Sequence, residues 1–159
     1  MASYFRQSRN CELSLLEYLQ TCFTNDWSDI TLVKSFKQVF SSTVNLPIVC
    51  IRLADISSQR REIGSTNLED KYLVIIDIFA RSDAQRLDLA DYIKEKLKNG
   101  WTHYDFSHAS GDNTTLDKSA NGRDFVTEFI SNTKVEFGDD VEDKEKYRQT
   151  ISIRVRKSS

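Results

Sequence analysis

The stretch Lys71–Lys98 constrains this chain more than any other. It begins Lys71-Tyr72-Leu73-Val74-Ile75-Ile76-Asp77-Ile78-Phe79-Ala80, rich in β-branched and aromatic residues, with one internal charge, Asp77. A run that is apolar on both faces predicts a strand in the middle of a sheet. At Ser82 the period changes from that of a strand to that of a helix. Ser82 and Gln85 form the pattern of a capping box, and Leu89, Ala90, Ile93 and Leu97 then fall on one helical face. Asn99-Gly100 supplies the stop. A central strand that feeds a helix folded back over it is the nucleus of a two-layer domain. Asp77 needs a partner inside that layer, because an unpaired buried charge is very costly, and Arg52 is the expected one.

The remaining segments add to this nucleus. Residues 1–10 are polar and basic and read as a flexible or accessory arm, or as an extra helical turn. Leu15, Leu16, Leu19, Cys22 and Phe23 then mark an amphipathic helix over Cys11–Phe23, broken by Asn25-Asp26. Ile30–Phe36 alternates as a strand, and Lys37–Asn45 reads as a loop or short helix. Pro47 opens a second apolar strand, Ile48–Ile56, at the position where a missing amide does least harm. Ser57–Asp70 is polar and reads as a long exposed hairpin connection. Thr102–Arg123 shows no periodic segment. Phe125–Phe137 resumes as a strand, and Lys146–Lys157 alternates strictly. In this last strand Tyr147, Gln149, Ile151, Ile153 and Val155 point one way. Arg148, Thr150, Ser152, Arg154 and Arg156 point the other, giving a half-buried strand with a basic outer face. The expected fold is α+β, a two-layer, mixed and mostly antiparallel sheet of about five strands flanked by two main helices.

Composition narrows what such a fold can do. A chain of 159 residues is read as a single domain, 1–159, able to bury about two-thirds of its unfolded surface. A net charge of −2 argues against a protein whose main task is to neutralise phosphates. No apolar run is long enough for a membrane helix, and Arg6, Arg9 and Asn10 interrupt any leader-like start. Cys11, Cys22 and Cys50 lie in apolar patterns without a Cys-x-x-Cys pair, so reduced, buried thiols are expected.

Signals for chemistry are few. His103, Asp105 and His108 could approach a metal, but strand alternation separates His108 from the other two and no second cluster completes a ligand set. Both histidines are expected in solvent-facing loop. Glu69-Asp70-Lys71 at a strand entrance has the residue types of a nuclease carboxylate–lysine arrangement but lacks a partner acid. No nucleophile elbow, phosphate loop or His-Glu-x-x-His motif is present. Neither a catalytic residue, a metal nor a cofactor is assigned.

Charge patterning carries more. Glu136, Asp139, Asp140, Glu142, Asp143 and Glu145 form a dense acidic connection relieved only by Lys144. Opposed to it stands the row Arg148, Arg154 and Arg156, with Lys157 beyond. A free arginine row on an edge strand discourages sheet-to-sheet pairing, or it meets an acidic surface. An acidic loop and a basic face on one small domain suit head-to-tail self-association. Arg60 and Arg61 in the hairpin, with Trp101, Tyr104 and Phe106 after the helix, complete the set of candidate contact residues.

Several segments together resemble the tail terminator and tail-completion (neck) proteins of tailed bacteriophages. They are Ser14-Leu15-Leu16-Glu17-Tyr18-Leu19, Leu46-Pro47-Ile48-Val49-Cys50-Ile51, Glu62-Ile63-Gly64, and Tyr72–Ala80 leading into Gln85-Arg86-Leu87-Asp88-Leu89-Ala90-Asp91. Tyr104-Asp105-Phe106-Ser107 and the closing Tyr147–Val155 strand complete the likeness, which spans Cys11–Arg156. It is a likeness of positions rather than of chemically diagnostic motifs. The resemblance implies a non-enzymatic virion protein made in the host cytoplasm and assembled as a ring, commonly a hexamer. Its implied partners are copies of itself, a tail tube protein and a head-connector or neck protein. DNA would pass through the lumen without specific binding, and no membrane is involved. A binding or regulatory module of α+β type, and a small metal-dependent nuclease, are the rival expectations.

Overall fold

The chain runs α1 (Gln7–Asp26), β1 (Thr31–Val33), α2 (Phe36–Val39), β2 (Ile48–Arg60), β3 (Leu68–Ala80), α3 (Asp83–Leu97), β4 (Trp101–His108), β5 (Leu116–Val135), a 3-10 turn (Asp143–Glu145) and β6 (Tyr147–Ser158). The structure, a computed structural model, describes residues 7–64, 66–108, 116–136 and 143–158, without the side chains of Ser107, His108, Leu116 and Asp143. All described strands belong to one curled sheet in the order β1-β2-β3-β6-β5-β4. Only β1 and β2 run parallel; the other neighbours are antiparallel. The α+β class therefore stands, with six strands in place of the five expected.

The apolar run of β3 lies between β2 and β6, as its two-sided hydrophobicity requires. One face of the sheet, through Val49, Ile51, Val74, Ile76, Ile151 and Ile153, packs against α1 and α3 as the main core. On the opposite face a smaller cluster of Val33, Val39, Ile48, Cys50 and Phe79 sits beneath α2. The ammonium of Lys144 fastens that corner by donating to the carbonyls of Val39, Ser41 and Val44 at 2.8, 2.8 and 2.7 Å. The Val39 carbonyl is one that the end of α2 leaves over, while the Ser41 carbonyl also accepts the Val44 amide at 3.2 Å.

Caps fall close to where the sequence puts them, with one exchange. The Ser82 hydroxyl accepts the Gln85 amide, but the Gln85 side chain accepts from the Arg81 amide instead of the Ser82 amide. The reciprocal box forms at α2, between Ser35 and Gln38. Gly100 stops α3 at a φ of 72°, and a Cβ there would lie 2.5 Å from the Asp124 carbonyl oxygen.

Of the two forms expected for the N-terminal segment, Gln7–Asn10 take the helical one, as the first turn of α1, and Asn10 is buried; residues 1–6 lie outside the described residues. Three segments depart from the sequence reading. The first strand ends at Val33, and Phe36 begins a helix because Ser35 caps it. Both ends of the supposed loop Ser57–Asp70 are strand, with β2 and β3 paired out to Arg60 and Leu68. Thr102–Arg123, read as aperiodic, contributes β4 and the start of β5, paired from Trp101 opposite Asp124 to His108 opposite Leu116. Polar residues hide these strands because Asp117–Arg123 is exposed, so burial imposes no alternation there.

Helix α1 closes the curl. On one flank the Ser14 hydroxyl accepts the Tyr104 amide at 2.9 Å, and the Asn10 side chain accepts the Phe106 amide at 3.2 Å, both on the outer edge of β4. On the other flank the Glu12 carboxylate accepts the Leu53 amide of β2 at 3.2 Å. One helix thus supplies both open sides of the sheet with the partners that a strand edge lacks.

Tyrosines tie the helices together and set an alkaline limit. Burial, above all other causes, raises Tyr72 and Tyr92 well above the ordinary value of 10.0 and takes Tyr18 to about 12. Tyr92 also donates to the Cys22 carbonyl and to Asp26, and Tyr18 to the Lys96 carbonyl. A phenol with a raised folded value keeps its proton in the fold while the unfolded chain loses its own. Stability is then level below about pH 10 and falls above it. Urea midpoints at about pH 8 and about pH 11 are expected to show that loss; equal midpoints would contradict it.

Candidate interface surfaces

The arginine row is built as predicted and placed otherwise than predicted. Arg148, Arg154 and Arg156 project from one face of β6 while Ile151, Ile153 and Val155 are buried on the other. Yet β6 is interior, flanked by β3 and β5, so the row guards no sheet edge. Nor is it a free cationic surface. Arg148 reaches Asp77 at 3.0 Å and Glu145 at 3.6 Å, Arg154 reaches Glu128 at 3.8 Å, and Arg156 pairs with Glu69.

Asp77 organises the corner beside that row. Its buried carboxylate accepts from Arg148 at 3.0 Å and from the Thr150 hydroxyl at 2.7 Å. The expected partner Arg52 is also present, 3.4 Å from the second carboxylate oxygen. The Arg148 guanidinium lies over the Phe36 and Phe79 rings at 4.9 and 5.2 Å, so the pair is packed as well as neutralised.

The acidic connection is described only at its ends. Glu136 is exposed and pairs with Lys134 at 2.9 Å. Glu145 packs toward Arg148, and Asp143 opens the 3-10 turn. Asp139, Asp140 and Glu142 lie outside the described residues. Arg60 and Arg61 stand at the exposed end of the β2–β3 hairpin. Trp101 and Phe106 are buried in β4, and Tyr104 is half-buried with the Lys118 ammonium 4.6 Å above its ring.

The sequence reading missed a buried polar pair. His103, expected in a solvent-facing loop, is enclosed in β4, with Nδ1 2.8 Å from the Asp124 carboxylate and Nε2 3.7 Å from Asp105. Asp105 is held in turn by Asn121 at 2.8 Å. His103 alternates with Trp101 and Asp105, which hinted at its direction, but no signal named Asp124 as the partner. Both members are enclosed, and no group of three or more metal-ligating side chains occurs among the described residues. The side chain of His108 lies outside the description.

The cysteines behave as small apolar residues. All three are free thiols. Burial first, then Asp124, raises Cys11 well above its ordinary value; burial first, then Asp77, takes Cys50 to about 11. An alkylating reagent at neutral pH is expected to modify Cys22, which is only half-buried, well ahead of Cys11 and Cys50. Peptide mass mapping checks this, and equal labelling of all three would refute it.

Among the described residues the arginines of β6 are thus engaged within the chain rather than left as a free cationic surface. Among the described residues no helix is long and apolar enough to cross a membrane. No family model matches the chain, and no curated protein matches it.

Proposed function

We propose that this chain is a structural subunit of a tailed phage, which assembles head to tail into a ring at the tail end or the head–tail neck and leaves a passage for DNA. The reading rests on the resemblance carried by the segments named above. The observation that weighs most beside it is where the chain's polar groups go. Asp77, Glu69, Glu128 and Glu145 are each engaged by an arginine of the sheet, so none stands free as a general acid or base. Free backbone instead occurs on the flanks of the sheet, where copies could join. In such a ring the Glu136–Glu145 connection would face the lumen or a neighbouring copy; acids facing inward would repel phosphates and ease transit. The projecting β2–β3 hairpin would reach the adjoining ring or the tail tube.

Electron microscopy and native mass spectrometry of the purified protein, with and without isolated tail tubes, test this. Rings, or binding to the end of tubes, are expected. A chain that stays monomeric at high concentration and ignores tail tubes would overturn the proposal.

A further inference from the structure

Among the described residues, two strand edges in this sheet have no neighbouring strand along part of their length. The short β1 covers β2 only from Ile48 to Cys50. The next outward amide, Leu53, is taken by Glu12, and after the bulge at Leu53/Asp55 the outward amide of Ile56 is met only by its neighbour Asp55. By antiparallel alternation the Ser58 amide points the same way. Past that bulge β2 is regular against β3 to Arg60, so Asp55–Gln59 presents an unbroken edge. On the opposite flank β4 covers β5 only up to Asp124. Bulges at Val126/Glu128 and Phe129/Ser131 interrupt the next stretch, leaving Ser131–Val135 as the regular uncovered part. Carrying the same alternation across β3 and β6 turns the Asn132 and Lys134 amides outward.

Exposed apolar side chains collect at these edges. Among the described residues, Ile56, Ile63 and Leu68 lie on the β2–β3 hairpin and Phe129 and Ile130 beside the free part of β5; only Phe40 and Leu87 are exposed elsewhere. We propose that the free edge of β2 in one copy adds to the free edge of β5 in a second copy, joining sheets head to tail. Strand directions support this occupant. Within the sheet β2 and β5 run oppositely, so copies related by rotation about an axis along the strands meet in antiparallel pairing. That pairing carries the Arg61 end of β2 toward Glu128 and the Asp55 end toward Lys134, opposite charges at both ends. The two edges sit at diagonal corners of the sheet. Each joint is therefore staggered along the strands, as a closed ring of tilted strands requires. Because the contact is heterologous, both edges of every copy are used when the ring closes.

This surface deepens the ring reading and rests on it, and it has its own test. Ser58→Pro and Lys134→Pro each delete an outward amide without removing a backbone hydrogen bond to β3 or β6, and the bond from the Ser58 hydroxyl to Asp70 of β3 is lost equally in the alanine control, so both variants are expected to keep the fold. Ser58→Ala and Lys134→Ala keep the amide and serve as controls. By native mass spectrometry the wild type and both alanine variants are expected to assemble, and each proline variant to be monomeric with a circular dichroism spectrum like that of the wild type. Mixed in equal amounts, the proline variants retain one good edge each and are expected to form dimers and nothing larger. Assembly by either proline variant alone, or a mixture that stays monomeric, overturns edge pairing, and so does a monomeric wild type. Dimers of Lys134→Pro alone would show β2 pairing with β2, which also overturns it. If the wild type forms rings while the proline variants assemble unchanged, this surface fails and the ring reading survives.

Discussion

Asp77→Ala is expected to lower folding stability by roughly 3–5 kcal/mol, the loss that follows when one member of a buried ion pair is removed. The carboxylate is fully enclosed, and its removal takes the acceptor from Arg148 and from the Thr150 hydroxyl together. Arg148 is itself only 12% exposed, so water cannot replace what is lost, and Glu145 at 3.6 Å is too far for a close charge-assisted hydrogen bond. The second partner, Arg52, is 42% exposed and can turn into solvent at little cost. The loss therefore falls on Arg148. A pair of apolar residues, Asp77→Leu with Arg148→Met, is expected to recover much of the stability, because exchanging both charges avoids desolvating either. Urea midpoints of the two single variants and the double give the coupling directly. Additive losses would mean that the pair contributes nothing jointly. A further variant separates a structural acid from a catalytic one. Asp77→Asn keeps the shape of the site, and a catalytic Asp77 would lose turnover there with the fold intact.

How much of this was legible in the sequence depends on how completely burial imposed a period. β3 and α3 are covered by core on the faces their patterns predicted, so the end of β3, the Ser82 cap and the Gly100 stop could be read, while the start of β3, at Leu68, lay in the polar hairpin and could not. In β6 the alternation was so regular that its two faces were assigned residue by residue. What alternation does not contain is a strand's neighbours, so β6 was taken for an edge and its arginines for a free row. The acids that neutralise them, Glu69, Asp77 and Glu128, lie on other strands far along the chain. β4 and the first part of β5 failed for a different reason. Asp117–Arg123 is exposed, and α1 meets the edge of β4 with Asn10 and Ser14, polar side chains whose sequence positions name no strand as their partner. The His103–Asp124 pair was invisible for the same reason, since it forms only when β4 and β5 are set side by side. For the candidate site, Arg52 was legible as a partner of Asp77, and the pairings of Arg148, Arg154, Arg156 and His103 were not.

Trp101→Ala is expected to be the second large loss, roughly 3–5 kcal/mol, from the cavity left by an enclosed indole. Trp101 is 1% exposed and joins the main core. Its ring stacks on Tyr18 at 5.9 Å, and Tyr18 in turn ties α1 to the Lys96 carbonyl near the end of α3. Truncating the indole loosens both helices at once, and the site collapses poorly. The chain enters β4 through Gly100, whose close approach to Asp124 leaves that backbone little room to shift inward. Tyr104→Ala, at a half-buried position on the other side of β4, is expected to cost well under half as much. The contrast decides what the aromatic row is for. An anchor seated in a neighbouring copy would, when truncated, weaken assembly and spare the monomer. A core residue does the reverse: the melting temperature falls, and assembly measured well below it is unchanged. Thermal melts and native mass spectrometry of the two variants, run side by side, are expected to give the core pattern for Trp101. Loss of assembly by a Trp101→Ala monomer that melts like the wild type would return the indole to the interface.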